Sequence, residues 1–246
     1  MNTNSNSYVM VFSVILCVVV SSVLAVLATV LKPTQQAAAE FDRQKNVMMA
    51  AGMIERGDPR PREVLEKLYT DQVSSVVIDT VTGEEVAGKG PADLAKLNAD
   101  AAAEDAKLKT RFRLLEIAKD KDGLLDSIIL PVSGKGLWRT LYGYLALESD
   151  KNRVRGIQFY KHGETPGLGG EVENPKWTAA WKGKCIRDDN GKIVSVTVKK
   201  GKVDESIARE KRHYVDGLAG ATITSNGVSK FVLRDLMAFQ TYLDKN

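Results

Sequence analysis

Apolar positions follow three different rhythms along the chain. Residues 8–31 are apolar almost without interruption and include no charged side chain. As a helix rising ~1.5 Å per residue, that run reaches about 36 Å, enough to span a bilayer core with some tilt. Near the other end, Val228, Phe231, Val232, Leu236, Phe239 and Leu243 recur at helical spacing and predict an amphipathic helix over residues 228–243. The middle alternates in short β-branched bursts, the pattern of strands.

Residues 34–39 read as a polar, small-residue linker, and residues 40–53 as a short amphipathic helix ended near Gly57-Asp58-Pro59. A second helix is predicted over residues 61–69, with Val64, Leu65 and Leu68 on its apolar face. Val73–Asp79 followed by Thr82-Gly83 predicts a hairpin, and residues 93–109 a charged, alanine-rich helix or insert. Strands are expected at 111–117, 127–132, 138–147, 154–160 and 193–198. Helices before and after a run of strands, without strict βαβ alternation, indicate an α+β domain with a mainly antiparallel sheet. The expected division is 1–33 for the N-terminal apolar segment, 34–109 for a linker and helical/hairpin part, and 110–246 for the main domain.

A single transmembrane anchor is the reading of residues 8–31. A cleaved secretory signal competes, with Ala37-Ala38-Ala39 as the small residues at a cut. Against it, residues 1–7 contain no Lys or Arg, and the run exceeds the ~7–15 residues of a signal core. Lys32, Arg43 and Lys45 follow the span, so the positive-inside rule alone puts the following domain in the cytoplasm.

Charge narrows the function. The 35 basic and 31 acidic residues are interspersed, with no basic stripe set among aromatics, which argues against nucleic acid as a partner. Cys17 lies in the apolar span and Cys185 far from it, so no intrachain disulfide is expected. With His162 and His213 as the only histidines, no CxxC and no HExxH, a metal centre lacks its usual ligands. The two histidines read as loop or surface residues. No GxGxxG follows a strand and no Walker A sequence occurs.

Two glycine-rich stretches carry the candidate chemistry. The first is Asp216-Gly217-Leu218-Ala219-Gly220-Ala221-Thr222-Ile223-Thr224-Ser225-Asn226-Gly227. Thr224, Ser225 and Asn226 are helix-capping types, so this turn should sit at a helix N-terminus, where free N–H groups and the dipole favour phosphate. Thr222 should lie just outside that start. An ordinary capped helix after a surface loop has the same composition. The second is His162-Gly163-Glu164-Thr165-Pro166-Gly167-Leu168-Gly169-Gly170, either a plain hairpin turn or a loop laying backbone and Leu168 against a flat ring. Trp138, after Gly134-Lys135-Gly136-Leu137, could flank such a ring or sit in the core. Lys200, at a strand end, could face a phosphate or solvent.

Asp-Gly-x-x-Gly-Ala-Thr-x-Thr resembles the flavinylation motif of the FMN-binding domains in the C subunits of sodium-pumping NADH:quinone reductases, and Glu164-Thr-Pro-Gly-Leu-Gly169 is similar to that family's ring-contacting loop. The order and spacing of the two motifs also match, and the glycine–tryptophan segment is a further partial match. Ala219 departs from the family, which usually has Ser or Thr there.

The resemblance implies FMN joined by a phosphoester to Thr222, with Gly220, Ala221, Ile223, Thr224 and Ser225 around the phosphate. It implies Glu164, Thr165, Gly167, Leu168, Gly169 and Trp138 around the ring, and Lys200 near the phosphate. Asp216 and Gly217 would belong to the sequence read by a separate magnesium-dependent flavin transferase. The implied role is an electron-relaying subunit of an inner-membrane complex, partnered by other membrane subunits. Its soluble domain would lie on the periplasmic side, opposite to the charge rule. The G subunit of Rnf-type complexes shares the motif and stands as an alternative. A membrane-anchored scaffold whose loops only shape an interface is the non-redox alternative.

Overall fold

The computed structural model describes residues 6–105, 107 and 110–245. They divide into two compact units, Met1–Arg43 and Gln44–Asn246. Helix α1 spans Asn6–Ala50. An 18-residue stretch of it has mean hydropathy 2.9 and is wholly exposed, so among the described residues it is the helix long and apolar enough to cross a membrane. Residues 34–39, expected as a linker, are helical as well. Alanine is the strongest helix former, and Ala37-Ala38-Ala39 favours continuation of the helix beyond Pro33.

In the second unit, helix α2 (Arg62–Gln72) leads directly into strand β1 (Val73–Asp79). The hairpin expected after β1 is vestigial, since β2 is only Glu84–Glu85. The main partner of β1 is β3 (Phe112–Lys119), paired antiparallel from Val73↔Ala118 to Asp79↔Phe112. Helix α3 (Leu94–Glu104) lies in the connection between them. It is no loose insert: Asn98 donates to the Phe112 carbonyl and accepts the Phe112 N–H, both at 2.9 Å.

Strands β4 (Leu125–Lys135), β5 (Thr140–Glu148) and β6 (Val154–Lys161) complete an antiparallel sheet of order β2-β1-β3-β4-β5-β6. The α+β class with a mainly antiparallel sheet is as the sequence pattern indicates. Trp138, expected inside a strand, sits in the β4–β5 turn that Gly136 N–H closes onto the Arg139 carbonyl at 2.9 Å. After β6 come the short helices α4 (Pro175–Ala179) and α5 (Ala208–His213), and the strand expected at 193–198 shrinks to β7 (Thr197–Val198), which pairs in parallel with β8 (Tyr214–Val215).

Alternation divides the buried residues between two faces. Ile128, Leu130 and Val132 of β4 meet Val228, Phe231, Val232 and Leu236 of helix α6 (Thr222–Ala238) in the main core. Burying each such side chain contributes roughly 1.5–3 kcal/mol. Ile129 and Glu116, directly paired, point the other way, where Tyr69 of α2 donates to Glu116 at 3.2 Å. The single C-terminal helix of the sequence pattern is two: α6 ends before Phe239, and α7 (Gln240–Lys245) follows. Among the described residues, β4 has no strand partner on its β3 side beyond Ile129. There the Ser133 N–H donates to Asp235 at 2.9 Å and Arg234 donates to its carbonyl, so α6 replaces the missing strand.

Candidate functional site

Helix α6 begins at Thr222 itself, with Ala221 as the preceding half-turn residue. The capping residues expected at 224–226 therefore lie inside the first turns. Their hydroxyls have other uses: Thr224 donates to Glu164 at 2.5 Å, and Ser225 accepts the Leu218 N–H at 3.3 Å. No side chain caps α6. The first-turn N–H groups of Thr222, Ile223 and Thr224 have no acceptor within the helix, which leaves the positive end of the dipole open.

Thr222, Ile223 and Asn226 are exposed, whereas Thr224 and Ser225 are buried. Thr222 lines a cavity of about 620 Å³ together with Gly220, Asn226, Lys199, Lys200 and Lys202. Lys199 donates to Glu210 at 2.5 Å. Lys200 and Lys202 bring further positive charge to the wall. Sequence reasoning named only Lys200. The density of Lys199-Lys200-Gly201-Lys202 was the available signal for the other two, and the β7–β8 pairing that turns this run toward Thr222 has only two residues on each side.

The segment Asp216-Gly217 is pinned to the lysine loop. Asp216 accepts the Val203 N–H at 2.7 Å, and Gly217 N–H donates to the Gly201 carbonyl at 2.8 Å. Trp177 Nε1 donates to the Asp216 carbonyl at 2.8 Å from below. Among the described residues, Asp216 is the one carboxylate lining the Thr222 cavity, and no histidine lines it.

Glu164 binds three segments into one assembly. It is buried, and its carboxylate accepts the N–H groups of Leu137 at 3.2 Å, Trp138 at 2.9 Å and Arg139 at 3.3 Å, besides the Thr224 hydroxyl. Burial pushes its carboxyl up, but the Thr224 hydroxyl and the three backbone donors outweigh that and hold it below the usual range. Gly169 is required beside it, because a Cβ there would lie 2.7 Å from Glu164 Oε2 and 2.8 Å from Thr224 Oγ1. Gly220 has φ +69°, and a Cβ on it would meet Leu168 Cδ2 at 2.7 Å.

The loop Thr165–Gly170 is a tight turn in which the Thr165 carbonyl accepts from Leu168 N–H at 3.2 Å and Gly170 N–H at 3.0 Å. Thr165 and Gly167 are exposed on it. Leu168 is 43% exposed, Ile223 59% and Trp138 66%, so each presents bare apolar surface. Thus the Gly220–Ser225 turn, the Glu164–Gly169 loop and Trp138 come together, joined through Glu164 and Leu168. Trp138 is on the surface and not in the core.

Residues 136–236 match the family of FMN-binding domains. Along nearly its whole length the chain is similar to proteins named as the C subunit of Na(+)-translocating NADH-quinone reductase. That of Pseudomonas aeruginosa is 41% identical over 242 residues, covering 94% of this chain and 91% of that one. The protein of Vibrio vulnificus is 38% identical over 246 residues, with coverage of 94% and 91%. Among crystal structures, Shewanella oneidensis NqrC superposes with a TM-score of 0.68 at 31% identity, covering 85% of this chain and 98% of that one. The crystal structure of the Parabacteroides distasonis protein of the same name gives 0.67 at 28% identity, with coverage of 87% and 98%.

Proposed function

The chain belongs to the C-subunit family of the Na(+)-translocating NADH-quinone reductases, and from that premise we propose that it carries FMN esterified to Thr222 and relays electrons one at a time between redox centres of neighbouring subunits. The observation that carries this reading is the exposed Thr222 at an uncapped helix start, in a cavity walled by lysines. The residues fit the group. The N–H groups of Thr222, Ile223 and Thr224, with the α6 dipole, suit a phosphate, and Lys200 and Lys202 add charge of the right sign. Trp138, Leu168 and Ile223 offer apolar surface to a flat ring.

Bound FMN supplies the redox chemistry, and the chain supplies position and electrostatics. Glu164 has its oxygens committed to four donors, so its part is to hold the loop, the β4–β5 turn and α6 in register. Thr165, Gly167 and Gly169 shape the loop that presents Leu168.

Attachment needs a second enzyme. A threonine hydroxyl requires a base, a metal or a lowered pKa to attack phosphorus. The one acid in the cavity, Asp216, already accepts a backbone N–H. A flavin transferase would move FMN from FAD to Thr222 Oγ1: the new O–P bond replaces the pyrophosphate linkage, AMP leaves, and the hydroxyl proton goes to the transferase. Asp216 and Gly217, on the exposed rim, would be read by that enzyme. The apolar helix within residues 8–31 would anchor the chain in the inner membrane among the other subunits. The domain would lie on the periplasmic side, where a covalent link keeps the cofactor from being lost.

Full-length likeness to C subunits favours this over the Rnf-type reading. The test is expression with a flavin transferase, denaturing electrophoresis under ultraviolet light, and intact mass beside Thr222→Val. A fluorescent band one esterified FMN heavier, absent from the variant, is expected. A dark band of unmodified mass, from a host that flavinylates a control protein, would leave the scaffold reading in its place.

A further inference from the structure

The β4–β5 turn carries a second concavity, of about 460 Å³, lined by Lys135, Trp138, Arg139, Tyr142, Lys161 and His162, with Thr140. Three of these side chains are permanent cations and none is an acid. Elsewhere in the second unit, exposed arginines such as Arg60, Arg62 and Arg153 meet the carboxylates of Asp58, Glu66 and Asp150. Among the described residues, no ion pair engages Lys135, Arg139 or Lys161. Lys161 Nζ instead stands 5.6 Å from the centroid of the Tyr142 ring. The His162 side chain contacts Glu173 at 3.1 Å, and the buried Glu164 carboxylate next to the turn is taken up by backbone N–H groups, those of Trp138 and Arg139 among them. The aromatic wall continues from Tyr142 to Tyr160, whose ring stacks on Tyr144 at 5.2 Å.

This notch adjoins the Thr222 site. Trp138 forms its edge, and the Trp138 N–H and Thr224 hydroxyl meet on the same carboxylate. A notch of unpaired cations and aromatic walls, opening beside an electron-carrying group, is complementary to a protruding acidic side chain. Its concavity favours a projecting protein segment over a lipid surface, which cationic side chains meet by reaching outward. We propose that this notch is where the electron-exchanging partner subunit docks, inserting one or two carboxylates from an acidic face between Lys135, Arg139 and Lys161. The inference rests on the proposed flavin at Thr222.

Complementary charge acts chiefly on encounter rate and is screened by salt. The test is a Lys135→Glu/Lys161→Glu variant in the assembled complex, with a Lys135→Arg/Lys161→Arg control. Flavin content is read by fluorescence, and NADH-driven flavin reduction by rapid mixing across ionic strengths. We expect unchanged flavin content, a transfer rate lowered about tenfold at low salt, a flattened salt dependence, and wild-type behaviour in the arginine control. Wild-type rate and salt slope in the charge-reversed complex, with full flavin content, would overturn the docking surface and leave the flavin assignment standing. A defect that scales with the anionic lipid of reconstituted vesicles would overturn it in favour of a lipid contact. Absence of flavin from the wild-type chain would remove both proposals.

Discussion

Glu164 and Thr224, sixty residues apart in sequence, meet at 2.5 Å in the interior, carboxylate to hydroxyl. Neither belongs to the solvent-facing wall of the Thr222 cavity. Their bond nevertheless decides where that wall stands, because Glu164 also holds the β4–β5 turn and Thr224 is two residues along α6 from Thr222.

Replacing this carboxylate should cost stability in a pH-dependent way. Glu164→Gln turns an amide toward backbone donors and is expected to lose about 1–3 kcal/mol at pH 7. The folded carboxyl is held below its ordinary value of 4.5. Its stabilising contribution is therefore complete above that value and disappears as pH falls through the folded pKa. Urea midpoints of wild type and Glu164→Gln should differ at pH 7 and converge once the pH has fallen through the lowered folded pKa. An equal gap at both pH values would contradict the four-donor account.

Gly169 and Gly167 should respond differently to alanine. At Gly169 the added Cβ strikes Glu164 and Thr224, and about 1–3 kcal/mol with loosened flavin attachment is expected. At Gly167 it meets nothing, and only the strain of φ +75° remains, about 1–2 kcal/mol. Flavin occupancy, measured by fluorescence at matched folding, separates the two: it should fall in Gly169→Ala and hold in Gly167→Ala.

Chemistry at the acceptor should tolerate serine. Thr222→Ser keeps the hydroxyl at the first helical position and should retain a mass increment of one FMN, in contrast to Thr222→Val. An unmodified serine variant would mean that the methyl group is itself read during attachment.

The lysine wall should act through charge. Lys200→Gln/Lys202→Gln is expected to slow flavin attachment several-fold at low salt, and the difference should shrink at ~1 M salt, where the screening length is about 3 Å. A rate unchanged at every salt concentration would assign these lysines to solvent.

The elements legible in the sequence were those with a strong local signal. The apolar run at 8–31 and the stripe from Val228 to Leu236 announce their helices, and the alternating bursts point to an antiparallel α+β domain. The glycine motifs marked the loops that do converge. What stayed hidden depends on distant partners. β1 pairs with its sequence neighbour β2 over only two residues and with the distant β3 along its whole length, and Asn98 turns an alanine-rich insert into a docked helix through one backbone amide pair. The α6 start was placed too late because Thr224 and Ser225 look like caps, and nothing local says that their hydroxyls are taken by Glu164 and Leu218. The notch of Lys135, Arg139 and Lys161 gathers residues from two strand ends and a turn, so no window of sequence displays it.

The bare first turn of α6 is a small defect kept in place. A side-chain acceptor at a helix start typically adds ~1 kcal/mol, and the buried Ala221 in that place provides none. With alanine there, the domain falls short of its own best stability until an anion arrives to satisfy those amides. Maturation and durability then become one quantity: a loaded chain should outlast an unloaded one under heat or protease, and a cell could sort finished subunits from unfinished ones by no other mark than how long they survive.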